Sequence, residues 1–169
     1  MKYTFNDHLH NYAVWTAARA VQRSFVKTAI IKEAIENSGL PAVISRNDIT
    51  TSDEFDNFHD RCCREILNFF IKHSIKGASY GRAAKIVSIY IKTSIVIRDS
   101  GKSRLAIIAH PPIDNILLKN LDKKMKKGFS KLRWTQLDRQ AYLGLIEELR
   151  VITPGEFWKL EQYWIPDQS

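Results

Sequence analysis

The chain has 169 residues, enough for one hydrophobic core that needs no disulfide or metal support. Hydrophobic residues make up 44% of it and charged residues 26%, an ordinary globular mixture. No uncharged apolar run is long enough for a transmembrane helix, and the N-terminal residues contain no apolar signal region. Cys62 and Cys63 are adjacent, a poor spacing for a disulfide or a metal site. We therefore expect a cytoplasmic protein with free thiols, no membrane association and no cofactor.

Positive charge is concentrated in residues 76–133, which hold fourteen Lys/Arg and three Asp, a net charge of +11. The other residues hold twelve Lys/Arg and fifteen Asp/Glu, a net charge of −3, and the whole chain carries +8. We expect one domain over residues 1–169, with neutral to acidic helices in 5–75 and a basic part in 76–133. A basic block inside a folded chain favours a nucleic-acid partner, DNA rather than RNA. The alternative is a solvated face on a basic protein, and the oligomeric state is left open.

Apolar residues recur mostly at helical spacing, which predicts an all-α compact bundle of about six to eight helices. The first helix is predicted from about Asn6 to Arg23 and the second from about Lys27 to Asn37. A Gly-x-Pro stop signal follows at 39–41. The third helix begins after Thr51, a capping residue, and Glu54 completes a capping box.

The fourth predicted helix, from about Arg82 to Arg98, is apolar on most sides, which places it at the centre of the domain. A turn at 99–103 follows, and the apolar run 107–109 gives a strand signal too short to found a sheet. Two prolines then exclude helix before residue 113, so Asp114 is placed to cap a helix through about Leu121.

Two further helices are predicted near the C-terminus. One starts near Thr135, with Asp138 at the capping-box position. The last starts at Thr153, with Pro154 in the first turn and Glu156 closing the box.

The spacing of Lys85 and Lys92 suggests a catalytic site. They are seven residues apart, so both lie on one face of an apolar helix. A lysine in an apolar wall has a lowered pKa, which leaves a neutral amine able to attack carbon. A carboxylate at a helix start, such as that of Asp114, is kept ionised by backbone N–H groups. Together these groups could cleave a bond at a sugar carbon, with the amine attacking C1′ and the carboxylate stabilising positive charge on the sugar.

At these residues the sequence resembles the helix-hairpin-helix DNA glycosylases, whose signature is a glycine turn, a lysine helix and a proline turn ending in aspartate. The matching residues are the glycine turn and helix of 79–85 and the Pro-Pro-Ile-Asp of 111–114. The pattern is nearest to the archaeal 8-oxoguanine DNA glycosylases, whose lysine helix has a second lysine seven residues on. The Leu-Pro-Gly-x-Gly hairpin of the family is absent. The resemblance implies a DNA-repair hydrolase or lyase with Lys85 as Schiff-base nucleophile and Asp114 as catalytic carboxylate.

The same resemblance implies contacts to DNA. A flipped base is stacked against aromatic groups, and the candidates are Trp15, Tyr80 and Trp158, with Trp164 as a further one. Each of these also suits a plain core position. Backbone N–H groups of Gly81 and Arg82 would bind a phosphate at the helix start. Other contacts to nucleic acid are expected from basic side chains: Lys92, Lys119, Lys123, Lys124, Lys126, Lys127, Lys131 and Arg133.

Three alternatives remain open. The chain could be a non-catalytic helical module that binds nucleic acid or a protein partner. Arg104 and His110 have the Arg-x(4–6)-His spacing of the HEPN ribonucleases, which the sequence also resembles at these two positions. An acidic cluster with one histidine could hold a metal, although the dipole of a helix start explains its first acids, and no metal site is expected. The cluster comprises Asp53, Glu54, Asp56, His59 and Asp60.

Overall fold

Helices make up the regular structure of the computed structural model, which describes residues 2–21, 24–46 and 48–166. These residues contain no strand, which confirms the all-α single-domain prediction. The α-helices are α1 (Phe5–Ala20), α2 (Thr28–Asn37), α3 (Leu40–Arg46), α4 (Ser52–Lys72), α5 (Tyr80–Ile91), α6 (Arg104–Ile108), α7 (Asn115–Met125) and α8 (Arg139–Ile152). A π-helical segment, Lys92–Ile97, continues α5, and 3₁₀ turns occupy Phe129–Lys131, Trp134–Gln136 and Phe157–Tyr163. None of the helices described is long and apolar enough to cross a membrane.

The start of α4 is fixed by the capping box that the sequence predicts. The Thr51 hydroxyl accepts the Glu54 N–H, and the Glu54 carboxylate accepts the Thr51 N–H at 3.0 Å. Two backbone donors that the helix cannot satisfy are thereby paired. Along the helix, Phe55, Ile66 and Phe70 are fully buried, so its apolar face forms one wall of the core.

Helix α5 lies at the centre of the fold, as its apolar character predicts. It packs against α1, α4 and α8 and against the 3₁₀ turn Trp134–Gln136. Ala83 and Ala84 are fully buried, and their small side chains let the neighbouring helices approach closely. The helix preceding this core, α1, ends at Ala20, and its predicted end at Arg23 lies outside the described residues.

The π-helical segment that continues α5 keeps its polar groups inside the fold. The Thr93 hydroxyl donates to the Ile89 carbonyl at 3.0 Å and contacts the Thr16 hydroxyl of α1 at 3.0 Å. Ser94 and Ile95 are also buried. The segment is wider than an α-helix because each turn holds an additional residue.

Two short helices differ from the sequence predictions. Helix α3 begins within the stop signal at 39–41, because Gly39 turns the chain at φ 75° and Pro41 lies in the first turn, where a missing N–H is tolerated. The apolar run 107–109 falls largely in α6 and not in a strand. The Ser103 hydroxyl accepts the Ala106 N–H at 3.2 Å and so starts a helix there.

The C-terminal elements also start at other residues than predicted. Asp138 is the N-cap of α8 and accepts the Ala141 N–H at 2.8 Å, so the helix begins after Asp138 and not near Thr135. Thr153 ends α8 instead of starting the next helix. The last element, Phe157–Tyr163, is a 3₁₀ helix and not an α-helix. We call residues 157–166, which begin with this element, the C-terminal segment.

Candidate functional site

Lys85 and Asp114 form a direct ion pair in the structure. The Lys85 Nζ donates to Asp114 Oδ2 at 2.7 Å. Only 4% of the Lys85 side chain is exposed, against 17% for Asp114. The two residues are therefore brought together from α5 and from the start of α7, with the amine buried and the carboxylate at the edge of solvent.

Asp114 is held in place by its role as the N-cap of α7. Its Oδ1 accepts the Leu117 N–H at 2.9 Å. Its Oδ2 accepts both the Lys85 amine and the indole N–H of Trp164, the latter at 2.9 Å. The buried residues 111–113 lead into this cap in a non-helical conformation, as the two prolines require. The carboxylate thus has three donors from three different elements.

Two tryptophans flank the ion pair. The Lys85 Nζ lies 5.3 Å from the centre of the Trp134 ring, a cation–π distance. Trp134 is buried in the 3₁₀ turn that packs on α5, whereas Trp164 is 39% exposed. Trp134 therefore forms the inner wall of the site and Trp164 forms its outer wall.

A second ion pair, between Lys92 and Glu161, extends the site along α5. The Lys92 Nζ lies 2.7 Å from Glu161 Oε2. It also lies 5.7 Å from the centre of the Trp164 ring. Lys92, which is predicted to contact nucleic acid, pairs here with a carboxylate of the C-terminal segment.

The pKa directions follow from burial and pairing. Burial lowers the pKa of Lys85, and the neighbouring Asp114 carboxylate opposes that shift. Burial alone would raise the pKa of Asp114, but Lys85 together with the N–H donors of Leu117 and Trp164 lowers it. Burial raises the pKa of Glu161 despite the Lys92 ammonium. The Asp114 carboxylate is thus kept ionised. The pKa of the Lys85 amine is lowered and that of the Glu161 carboxyl is raised, so these two values lie closer together than in water.

Gly81 lies where α5 meets the Trp134 turn. A Cβ at Gly81 would overlap the Trp134 carbonyl oxygen, so only glycine allows this approach. The Gly81 N–H donates to the Leu137 carbonyl at 2.9 Å, and the Arg82 N–H donates to the Ser79 hydroxyl at 3.1 Å. Both amides predicted to bind a phosphate therefore have partners within the fold.

The three residues predicted to form the base pocket lie apart in the structure. Tyr80 is buried, and its hydroxyl donates to Asp60 at 2.8 Å. Trp15 is exposed on α1, stacked against Tyr12. Trp158 belongs to the C-terminal segment, where with Lys159, Glu161 and Gln162 it lines a cavity of about 510 Å³. Of the three, Trp158 is the one that shares a cavity with a residue of the second ion pair.

A basic surface begins at α7, whose start holds Asp114. Its seven cationic side chains are all exposed, and we call them the α7 basic surface: Lys119, Lys123, Lys124, Lys126, Lys127, Lys131 and Arg133. Lys127 pairs with Glu148 at 3.2 Å, and Lys124 lies 5.1 Å from the centre of the Tyr163 ring. Since Tyr163 is in the C-terminal segment, the basic surface and the two ion pairs adjoin.

His110 lies in the interior, unlike the histidine of a ribonuclease site. Its side chain is fully buried, with Nε2 at 2.8 Å from Asp56 Oδ1. Arg104 donates to the Thr50 carbonyl at 2.6 Å. A buried imidazole cannot reach an RNA phosphate, so this arrangement gives the HEPN interpretation no accessible acid–base group.

The acidic cluster of α4 is divided among internal partners. Asp56 accepts two hydrogen bonds from Arg150, and Asp60 accepts two from Arg139. Glu54 belongs to the capping box. In the part of the chain that the structure describes, no three His, Cys, Asp or Glu residues are arranged to hold a metal ion.

Trp134 and Glu161 are site residues that the sequence patterns did not identify. Trp134 begins a 3₁₀ turn and Glu161 follows Lys85 by 76 positions, so no local spacing links either to the lysine helix. A signal existed for Glu161, because a second lysine on an apolar helix requires an anionic partner.

Comparison of the chain with protein-family models, with curated proteins and with solved structures finds no match.

Proposed function

We propose that this protein is a DNA glycosylase-like enzyme that binds DNA along the α7 basic surface and removes a modified base at Lys85. The observation that carries the proposal is the buried Lys85 amine, 2.7 Å from the carboxylate that caps α7. Perturbed ionisable groups paired in a partly open site are candidates for catalysis. The motif resemblance adds to this support, since it assigns the same two residues to the reaction.

The chemistry requires a neutral amine. After Lys85 loses its proton, Nζ attacks C1′ of the nucleotide and the C1′–N bond to the base breaks, its electron pair leaving with the base. Asp114, kept ionised by its three donors, stabilises the positive charge that develops on the sugar. Ring opening then gives a Schiff base between Nζ and C1′, which hydrolysis or strand cleavage resolves.

Access to Lys85 is from the side of Trp164. Because Lys85 is 4% exposed and Trp164 is 39% exposed, a nucleotide reaches the amine only when the Trp164 indole moves away from Asp114. The indole then becomes available to stack on a base, an interaction worth about 1–3 kcal/mol. Flipping a damaged base costs a few kcal/mol, which this stacking offsets in part.

Borohydride trapping on a duplex with an abasic site tests the proposal, because reduction of the Schiff base leaves a covalent protein–DNA adduct. We expect the adduct with the wild-type protein and none with Lys85→Gln. Lys32→Gln, which changes an exposed lysine on α2, is the matched control and should react as the wild type does. Absence of an adduct with the folded wild-type protein at any pH from 6 to 9 contradicts the proposal.

A second candidate is a nucleic-acid-binding module without catalysis. It is favoured by the ion pair of Lys85 with Asp114, since an ammonium has no free electron pair and is not a nucleophile. In that case no adduct forms, yet binding to duplex DNA persists. The affinity then falls steeply with salt, because binding at the α7 basic surface releases counterions.

A further inference from the structure

Glu161 is a second carboxyl group in the site, and the proposed attack by Lys85 leaves it without a role. It lies in the C-terminal segment, with its Oε2 at 2.7 Å from Lys92 Nζ. Only 20% of its side chain is exposed, so the carboxyl is withdrawn from bulk water. A partly buried carboxyl of this kind is costly to maintain as an anion unless it is paired, which Lys92 achieves.

Trp164 connects the two ion pairs. Its Nε1 donates to Asp114 Oδ2 at 2.9 Å, while Lys92 Nζ lies 5.7 Å from the centre of the indole ring. Glu161 contacts Lys92 and Asp114 contacts the indole N–H, so the two carboxyl groups belong to one series of contacts. Lys85 and Lys92 share one face of the helix, so both pairs open toward the same side of α5.

Glu161 also lines the cavity next to this side of the molecule. The cavity of about 510 Å³ is bounded by Trp158, Lys159, Glu161 and Gln162. This volume falls in the range of small-molecule sites, which combine an aromatic wall with a few polar groups. Trp158 supplies the aromatic wall and Glu161 supplies the carboxyl. A planar base leaving C1′ would find both a stacking surface and a proton donor here.

We infer that Glu161 is a further catalytic residue that protonates the base as it departs from C1′, with Lys92 holding its carboxyl in place. The inference rests on the proposed function. The departing base carries the electron pair of the broken C1′–N bond and takes a proton from the Glu161 carboxyl. The Lys85 nitrogen, which becomes positively charged when its bond to C1′ forms, passes one proton to the ring oxygen as the sugar opens. Glu161 regains its proton from water, so its carboxyl is unchanged after each turnover.

The electrostatics of the site support this transfer. Burial raises the pKa of Glu161, so its carboxyl holds a proton more readily than an exposed carboxyl does. Asp114 is unsuited to the role, because its lowered pKa keeps it ionised. Asp114 thus remains an anion, whereas Glu161 gives up a proton and regains one.

The test compares two DNA substrates with Glu161→Gln. A duplex with 8-oxoguanine requires the base to leave, whereas a duplex with an abasic site does not. We expect excision of 8-oxoguanine to slow by about 100-fold and the alkaline limb of its pH profile to disappear. Borohydride trapping on the abasic duplex should stay within about twofold of the wild type. Glu161→Asp should restore part of the excision rate.

Glu156→Gln is the matched control, because Glu156 immediately precedes the C-terminal segment and pairs with Lys159. It should leave both reactions unchanged. Lys92→Met gives an independent measurement, since removal of the cation raises the pKa of Glu161 and moves the alkaline limb to higher pH. A limb that stays in place contradicts the inference.

The outcomes separate this inference from the proposed function. If the wild-type protein forms no adduct on abasic DNA, the proposed function fails and the role of Glu161 fails with it. If the adduct forms but Glu161→Gln excises 8-oxoguanine at the wild-type rate, the Glu161 inference alone is overturned. It is also overturned if the adduct forms while the wild type excises neither 8-oxoguanine nor hypoxanthine, because no departing base then needs a proton.

Discussion

Replacing Asp114 by asparagine separates the two roles of this side chain. Asparagine is as good an N-cap as aspartate, so the hydrogen bond from the Leu117 N–H at the start of α7 is kept. The negative charge opposite Lys85 is lost. The Lys85 ammonium then remains in a buried position without its anionic partner, and the Trp164 N–H loses its acceptor as well. Any loss of stability therefore reports on the contacts of Oδ2 and not on the cap.

The size of this loss follows from the burial of the pair. Removing one partner of a buried ion pair costs about 3–5 kcal/mol, and the partial exposure of Asp114, at 17%, places the cost at about 3 kcal/mol. For a domain of this size the melting temperature falls by roughly 2–4 °C per kcal/mol, hence by roughly 6–12 °C. Asp114→Ala should cost about 1 kcal/mol more, because it also removes the cap.

Urea unfolding followed by circular dichroism measures these losses, and a double-mutant cycle with Lys85→Met isolates the pair. We expect Asp114→Asn and Lys85→Met together to cost less than the sum of the single changes, because the double variant buries no unpaired charge. The penalty of Asp114→Asn should also shrink as the pH rises, since Lys85, whose pKa burial lowers, can then lose its proton. A single-variant loss below about 0.5 kcal/mol with no coupling refutes this reasoning, since exposed pairs behave in that way.

The remaining predictions concern close packing, buried histidines and salt. Gly81→Ala should destabilise the fold by about 2 kcal/mol in urea unfolding, because the added Cβ overlaps the Trp134 carbonyl oxygen. Gly144→Ala, on the exposed side of α8, should instead stabilise the fold by about 0.5–1 kcal/mol. Equal effects of the two changes would count against the packing argument. Burial lowers the pKa of His59 and His110, so below about pH 6.5 the unfolded chain binds more protons than the folded chain. The free energy of unfolding should therefore decrease as the pH is lowered from that value, by up to about 1.4 kcal/mol per pH unit for each histidine. His59→Phe should make this dependence on pH shallower. Changing four cations of the α7 basic surface to glutamine should make the salt dependence of DNA binding shallower by up to about 3.6 in log–log slope, and an unchanged slope would place the contact elsewhere.

The capping residues explain why much of the fold could be predicted. The Thr51–Glu54 capping box and the Asp114 cap each pair backbone N–H groups that lie within three residues. Local sequence is therefore enough to predict where these helices begin. Helix α5 could be placed at the centre because its apolar residues point in most directions. The juxtaposition of Lys85 and Asp114 was implied only by the motif resemblance, since 29 positions separate them.

The remaining parts of the site depend on tertiary contacts that no local pattern encodes. Trp134 reaches Lys85 because Gly81 lets its turn approach α5, and that approach is visible only once both elements are in place. Glu161 and Trp164 come from the C-terminal segment, whose pattern of apolar residues predicts an α-helix although the structure forms a 3₁₀ helix over Phe157–Tyr163. The same limit applies to α6, where a single serine cap outweighed the β-branched residues that suggested a strand.

The π-helical segment Lys92–Ile97 makes the fold sensitive to chain length at this point. A π turn contains one residue more than an α turn, so it rotates everything that follows by about 100° relative to an uninterrupted helix. Lys85 and Lys92 precede most of this rotation, whereas α6 and the Asp114 cap follow it. Deleting a single residue such as Thr93 would let the segment revert to an α-helix and turn Asp114 away from Lys85. Substitutions here should be tolerated far better than single-residue deletions.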